Sequence, residues 1–281
     1  MPTYLAPDRT RLAYRTVGDG APLLCLPGGP MQDSAYLEEL GGLSRHRRLT
    51  VPDLRGTGRS EHPADSSSYR CDRLVDDVEA LREHLGLHRI DLLGHSAGAN
   101  LAALYTARHP ERVSTLTLVT PGTAAVGLSA SGEQRLALAR CRAGEPWYPA
   151  AYAALEAVTA GRGGGPEWGA VAPFFHGRWD AEARRHHAAA EVQRNAEAAG
   201  IFASAGAFEP AGTRAALAAF EGRVLVLAGE FDVNSPPGLL ADYADLFPRA
   251  TFTVQAGAGH YPWQDDADRF VSTLAGFLAP A

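Results

Sequence analysis

Between Ile90 and Leu104 the chain reads IDLLGHSAGANLAAL: an aliphatic run, Gly94, a serine at 96, Gly98, then an alanine-rich stretch. The aliphatic run predicts a short buried strand and the alanine-rich stretch a helix. Joining the two directly through G-x-S-x-G places Ser96 on a sharp turn with strained dihedrals. Gly94 and Gly98, with Ala97 and Ala99, remove the side chains that would collide there. Such a turn lifts the hydroxyl to the carboxyl end of a sheet, where open α/β sheets bind ligands. The first amides of the next helix then lie close to any negative charge that develops. A serine that merely capped a helix would need none of this, so the pattern points to a nucleophile.

The rest of the chain supplies the sheet such a turn requires. TRLAYRTVG alternates apolar and polar residues, as a half-exposed antiparallel edge strand does. APLLCLPGG and RRLTVPDLRGTGRS are short apolar runs stopped by glycines, as buried strands ending in loops are. Leu74, Val75, Val78, Leu81 and Leu85 form a helical stripe that stops at Gly86. VSTLTLV, RVLVLAGE and ATFTVQ continue the strands, and DRFVSTLAGFL closes the chain as a helix. Strands alternating with helices predict an α/β fold, a mostly parallel sheet covered by helices on both faces. From Gly122 to Thr213 no strand-like run occurs, and alanine-rich helices are broken by RAGEP and GRGGGPEW. The expected division is a core of residues 1–121 and 214–281 with a helical cap inserted at 122–213.

A serine hydroxyl needs a base to take its proton and a third group to orient that base. His46, His62, His84, His88 and His109 lie among charges and read as solvated, while His186 and His187 fall in the insert. His260 sits in a glycine-containing loop after a strand and before the last helix, at the sheet edge that carries Ser96. Asp232, just past the strand VLVLAGE, is the expected orienting acid, with Glu230 as its competitor. An acyl-transfer transition state also needs two backbone donors for its oxyanion. Ala97, directly after the serine, and Gly29, in LPGGP, are the candidates. Neither G-x-G-x-x-G nor a G-K-[ST] ending accompanies those glycines, and no His/Cys/Asp spacing suits a metal. The expected chemistry uses neither cofactor nor metal.

Composition narrows the partners. The formal charge is −6, and all 26 basic residues are arginine. An acidic chain without a basic cluster argues against nucleic acid or an anionic membrane as a partner. No apolar window reaches the length of a membrane span, and MPTYLAPDRTRLAYR lacks the apolar core of a signal peptide. Cys25, Cys71 and Cys141 are odd in number and far apart, which predicts reduced thiols. A cytoplasmic enzyme acting on a small molecule or short peptide is the expectation. Its oligomeric state is not encoded in any of these features.

With these residues in view, the whole chain resembles an α/β-hydrolase with a helical cap, whose triad follows the chain order Ser, Asp, His. LPGGPMQDSAYL resembles the H-G-G-P-G oxyanion loop of the proline iminopeptidases, and DLRGTGRS resembles their D-Q-R-G-x-G-x-S loop. Pro27 stands at the family's histidine, Met31 at its last glycine, and Ala97 where a tryptophan usually follows the serine. The resemblance implies an aminopeptidase that releases an N-terminal residue, proline among them, from short peptides or amides. It also implies cap carboxylates for the substrate's amino group, with Glu182, Glu191, Glu197 and Glu209 available. A carboxylesterase or lactonase acting on a small ester is the alternative, since DLRGTGRS recurs in looser form among such enzymes. A catalytically inactive binding protein on the same fold would lack a triad member or block the oxyanion loop, and the sequence shows neither. For Asp53 and Arg55 the expected role is local hydrogen bonding within a tight loop.

Overall fold

The computed structural model describes residues 1–279, the side chain of Glu191 excepted. Eight strands form one sheet: β1 (Thr3–Leu5), β2 (Arg11–Val17), β3 (Pro22–Leu26), β4 (Arg48–Pro52), β5 (Ile90–His95), β6 (Val113–Val119), β7 (Arg223–Gly229) and β8 (Ala250–Gln255). Their order is β1-β2-β4-β3-β5-β6-β7-β8. β2 runs antiparallel to β1 and β4, and every later pairing is parallel. The chain is therefore an α/β fold with a mostly parallel sheet. TRLAYRTVG is antiparallel as expected but is not the edge, because β1 lies outside it. Three residues are too few to show a period, so β1 leaves no pattern in the sequence.

Alternation of side chains along each strand divides the core into two layers. Leu23, Cys25, Leu49, Val51, Leu93, Val119, Leu225 and Leu227 face one way, against Trp263, Phe270 and Leu274. Leu24, Leu26, Leu92, Leu116, Leu118, Val224 and Val226 face the other, where the stripe of α1 (Cys71–His84) and the alanines of α2 (Ala97–Arg108) cover them. Because both faces are buried, the strands read as continuous apolar runs. Each fully buried leucine contributes about 1.5–3 kcal/mol over an exposed one.

Between β6 and β7 the chain is helical: α3 (Gly132–Ala139), α4 (Tyr148–Thr159), α5 (Gly165–Val171), α6 (Ala181–Gln193), α7 (Ala196–Phe202) and α8 (Pro210–Ala218). Local signals start these helices. Ser131 and Gln134 form a capping box at α3, and Asp180 and Asn195 cap α6 and α7 with their side chains. The segment is not uniform. Ala139, Ala151, Leu155, Val171 and Phe174 build a small separate core with Val233 of the loop after β7. Ala198, Phe202 and Leu217 instead join the main core beside α2. Thus α8 straddles residue 213, and the chain has already rejoined the main core at Ala198 of α7. The remaining helices, α9 (Pro237–Ala244), α10 (Pro262–Asp265) and α11 (Ala267–Leu278), complete the layers.

Candidate active site

Ser96 stands between β5 and α2 with φ 53° and ψ −123°. A non-glycine residue held there costs on the order of 1–3 kcal/mol, so its surroundings must enforce it. They do so by close approach. A Cβ on Gly98 would lie 2.4 Å from the Pro27 carbonyl oxygen, and one on Gly94 would lie 2.7 Å from Ala99 Cα. Ser96 N–H donates to the Val119 carbonyl at 3.1 Å, and its own carbonyl accepts from Gly122 N–H at 2.8 Å. The serine is thereby fastened to the neighbouring strand and to the loop beyond it.

The tertiary fold brings the expected partners together. Ser96 Oγ–H donates to His260 Nε2 at 2.8 Å, and His260 Nδ1–H donates to Asp232 Oδ2 at 2.7 Å. Asp232 is fully buried, and its other oxygen accepts from Asn234 N–H at 2.9 Å. Glu230 points elsewhere, accepting from Gly257 N–H at 2.6 Å. His260 is gripped from both ends of its backbone. Its N–H donates to the Phe175 carbonyl at 2.8 Å, and its carbonyl accepts from Thr120 Oγ1–H at 2.9 Å. The Asp265 carboxylate takes N–H bonds from Gly259 at 2.8 Å and Gly177 at 3.0 Å, clasping the histidine loop to the helical segment.

Around the candidate oxyanion donors a second chain of hydrogen bonds runs through residues that the sequence reading missed. Gly28 N–H donates to Tyr36 Oη at 2.7 Å, and the Tyr36 hydroxyl reaches His95 Nδ1 at 2.7 Å. His95 Nε2 lies 3.0 Å from the His260 carbonyl. A carbonyl only accepts, so the Nε2 of His95 carries the proton and its Nδ1 accepts from Tyr36. Burial and the neighbouring His260 push the His95 pKa well below the ordinary range, and burial pushes Tyr36 well up. Both therefore remain neutral, and the chain links the LPGGP loop to the backbone of His260. Gly28 is engaged in this way. Among the described residues, Gly29 N–H and Ala97 N–H donate to no acceptor within the protein. Gly29 has φ 116°, a conformation glycine adopts readily.

A cavity of about 140 Å³ opens at Ser96, lined by Gly29, Gln32, Tyr36, Phe175, Asn234 and Tyr261 among others. Gln32 ties it to the end of α6 through Gln193, and Asp33 N–H donates to the Gln193 carbonyl. Three of the four expected amine-binding carboxylates can be placed relative to this cavity. Glu182 is exposed and pairs with Arg178 at 3.5 Å. Glu197 and Glu209 are also exposed, and none of these three lines the cavity. The side chain of Glu191 lies outside the described residues. Asp53 and Arg55 are occupied locally. Asp53 accepts from Ser34 Oγ–H and Arg59 N–H, while Arg55 pairs with Asp77 and Asp8. Cys25, Cys71 and Cys141 carry no disulfide, and burial pushes the Cys25 thiol up to about 12. Among the described residues no cluster of His, Cys, Asp and Glu is arranged for a metal, and no helix is long and apolar enough to cross a membrane.

Comparison with known proteins sets this geometry in a family. By sequence, the proline iminopeptidase of Heyndrickxia coagulans is 35% identical over 104 residues, which cover 37% of this chain and 36% of that protein. The chain thus spans little more than a third of that relative's length. By structure, a thermophilic esterase from Thermogutta terrifontis superposes with a TM-score of 0.71 at 25% identity, covering 99% of this chain and 97% of the other. A proline iminopeptidase of Mycobacterium smegmatis gives a TM-score of 0.74 at 24% identity over 99% of this chain and 97% of that one, a likeness of fold alone. A peptidase and an esterase therefore share this architecture equally well, and fold alone does not choose between their substrates. The description alpha/beta hydrolase fold matches residues 21–266, and with that match the sheet order and the bend at Ser96 make this chain a member of the alpha/beta hydrolase family.

Proposed function

We propose that the protein is a serine hydrolase in which Ser96 attacks a carbonyl carbon and His260 takes the serine proton. Asp232 holds His260 in the required tautomer and balances the imidazolium that forms. The same proton then passes to the leaving group, and water repeats the cycle to release the acid. Gly29 N–H and Ala97 N–H receive the oxyanion, each such donor being worth about 3–4 kcal/mol at the transition state. One observation carries this reading: a continuous Ser96–His260–Asp232 hydrogen-bond relay, buried at His260 and Asp232, faces a cavity beside two amides with no acceptor among the described residues. Residues 122–213, less the parts of α7 and α8 that pack on the core, act as the cap that selects the substrate.

For substrate, the site supports a small ester or lactone best. The described side chains lining the cavity at Ser96 are polar and aromatic, with no carboxylate among them. Burying a substrate's ammonium there without a partner would cost several kcal/mol. Release of an N-terminal prolyl residue is the second reading, favoured by the iminopeptidase relative and by the two loops that resemble that family. A serine-directed fluorophosphonate should label Ser96 alone. Peptide mass analysis checks this, and label on another serine, or none, refutes the relay. On the labelled enzyme's unmodified counterpart, p-nitrophenyl acetate should be hydrolysed while free prolyl arylamides are not. Arylamidase activity that disappears when the prolyl amine is acetylated would transfer the assignment to the second reading.

A further inference from the structure

Beyond Phe175, which lines the cavity at Ser96, lies a second cavity of about 250 Å³. The two meet at consecutive residues, for Asn234 lines the first and Val233 the second. Leu155, Val158, Val171 and Trp168 give the second cavity apolar walls, and among the described residues Arg135 of α3 is the one charged residue in its lining. The Arg135 guanidinium spends one N–H on the Val233 carbonyl at 2.8 Å. Among the described residues it has no carboxylate within ion-pairing distance and no further hydrogen-bond acceptor. The one acidic group that acts on it from nearby is Asp232, whose two oxygens are already taken by His260 and Asn234. Thr159, also on the wall, donates its hydroxyl to the Leu155 carbonyl. Burial lowers the proton affinity of Arg135, yet a guanidinium keeps its charge in proteins. Arg135 is half-buried on the wall of this cavity, and a charge drawn out of water is costly unless a partner offsets it.

We infer that this cavity is a subsite for a carboxylate carried at the end of an apolar substrate group, received by the free edge of Arg135. The inference rests on the reading of Ser96 as the nucleophile of an ester hydrolase. The scissile carbonyl sits at Ser96, the apolar shaft passes Phe175, and the carboxylate takes two parallel N–H bonds from the guanidinium. The matched substrate class is the half-ester of a dicarboxylic acid, the lactone of a hydroxy-dicarboxylic acid whose second carboxylate stays free, or an ester of an aryl or alkyl acid with a second carboxylate. The competing account is that Arg135 only fastens the Asp232 loop through the Val233 carbonyl.

Binding separates the two accounts without requiring turnover. In the Ser96→Ala protein, calorimetry compares phenylbutyrate with phenylbutyramide, which share a shape and differ in charge. The acid should bind at least about tenfold more tightly than the amide, as expected for a charge-assisted pair. Adding Arg135→Gln should bring the two within about threefold of each other, and Arg135→Lys should keep part of the preference because it retains the charge without the fork. Equal affinity for acid and amide, or an acid preference that survives Arg135→Gln, overturns the subsite. Should Arg135→Gln fail to fold, the acid–amide pair and Arg135→Lys still decide. Fluorophosphonate labelling at Ser96 without any acid preference refutes the subsite alone. An acid preference without labelling keeps the subsite and refutes the hydrolase.

Discussion

Around Ser96, a single added methyl at Gly94 or Gly98 would strike backbone within 2.7 Å, whereas Gly165 and Gly169 in α5 have nothing within 4 Å of the same position. The two regions also differ in what holds them. Ser96, Asp232 and His260 are tied to β5, β6 and β7 in the main core, while α3 to α5 gather around a small cluster of their own that touches the sheet layer at Val233. Crowding of the first kind enforces one strained geometry, which catalysis needs. The second kind leaves room for cavities and for change in their walls. The proposed chemistry and the proposed selectivity are thus housed under opposite packing regimes, joined at the backbone of Phe175 and at the Asp265 clasp.

The strongest way to break this division is to change the acid at the crowded end. Asp232→Asn should lower kcat on the order of 10⁴-fold, because the wrong tautomer of His260 then faces Ser96. Glu230→Gln, two residues earlier and bonded to Gly257 N–H rather than to His260, should lower it less than about tenfold. Steady-state kinetics on p-nitrophenyl acetate checks the pair, and the reverse ranking would move the relay to Glu230.

Glycine substitutions sharpen the contrast in stability. Gly98→Ala drives its Cβ into the Pro27 and Leu26 carbonyls, and should destabilise the fold by about 2–3 kcal/mol. Gly169→Ala meets open space inside α5 and should stabilise it by about 0.5–1 kcal/mol. Urea unfolding of both variants is the measurement. Similar losses from the two would show that α5 is as tightly packed as the elbow.

An effect of similarly small size belongs to the seam. His176 is buried, and burial together with His186 lowers its pKa to about 3. The unfolded chain binds this proton below the ordinary histidine value and the folded chain does not, so stability is complete above that value and falls with acidification. Between roughly pH 6.5 and 5.5, His176 should account for about 1 kcal/mol of lost stability. His176→Gln should remove that share, as urea midpoints at the two pH values would show. An unchanged slope would mean that the seam opens before His176 is protonated.

The parts of this arrangement legible in the sequence are the local ones. Gly94, Ser96 and Gly98 share one turn, so their spacing alone reports the elbow. The apolar runs of β3, β5, β6 and β7 report buried parallel strands, because burial on both faces leaves no polar interruption. Asp232 and His260 were legible by position, since each follows a strand whose end the pattern marks. β1 was too short to show a period. The helical segment was legible as helix but not in its attachments, which is why Glu182, Glu197 and Glu209 read as candidate ligands although they are exposed. Burial on a helix follows from what packs against it, which alanine-rich periodicity does not specify.

The sequence by itself determined the elbow, the strand–helix alternation and the residues available as nucleophile, base and acid, because each depends on neighbours along the chain. Only the tertiary structure decided which groups meet. Tyr36 and His95 are 59 residues apart, His95 and the His260 carbonyl 165, and Arg135 and the Val233 carbonyl 98. A hydrogen bond across such separations imposes no periodicity on either segment. What becomes of a given histidine or arginine is settled when the sheet order and the helices packed on it bring distant loops to the same end of the molecule.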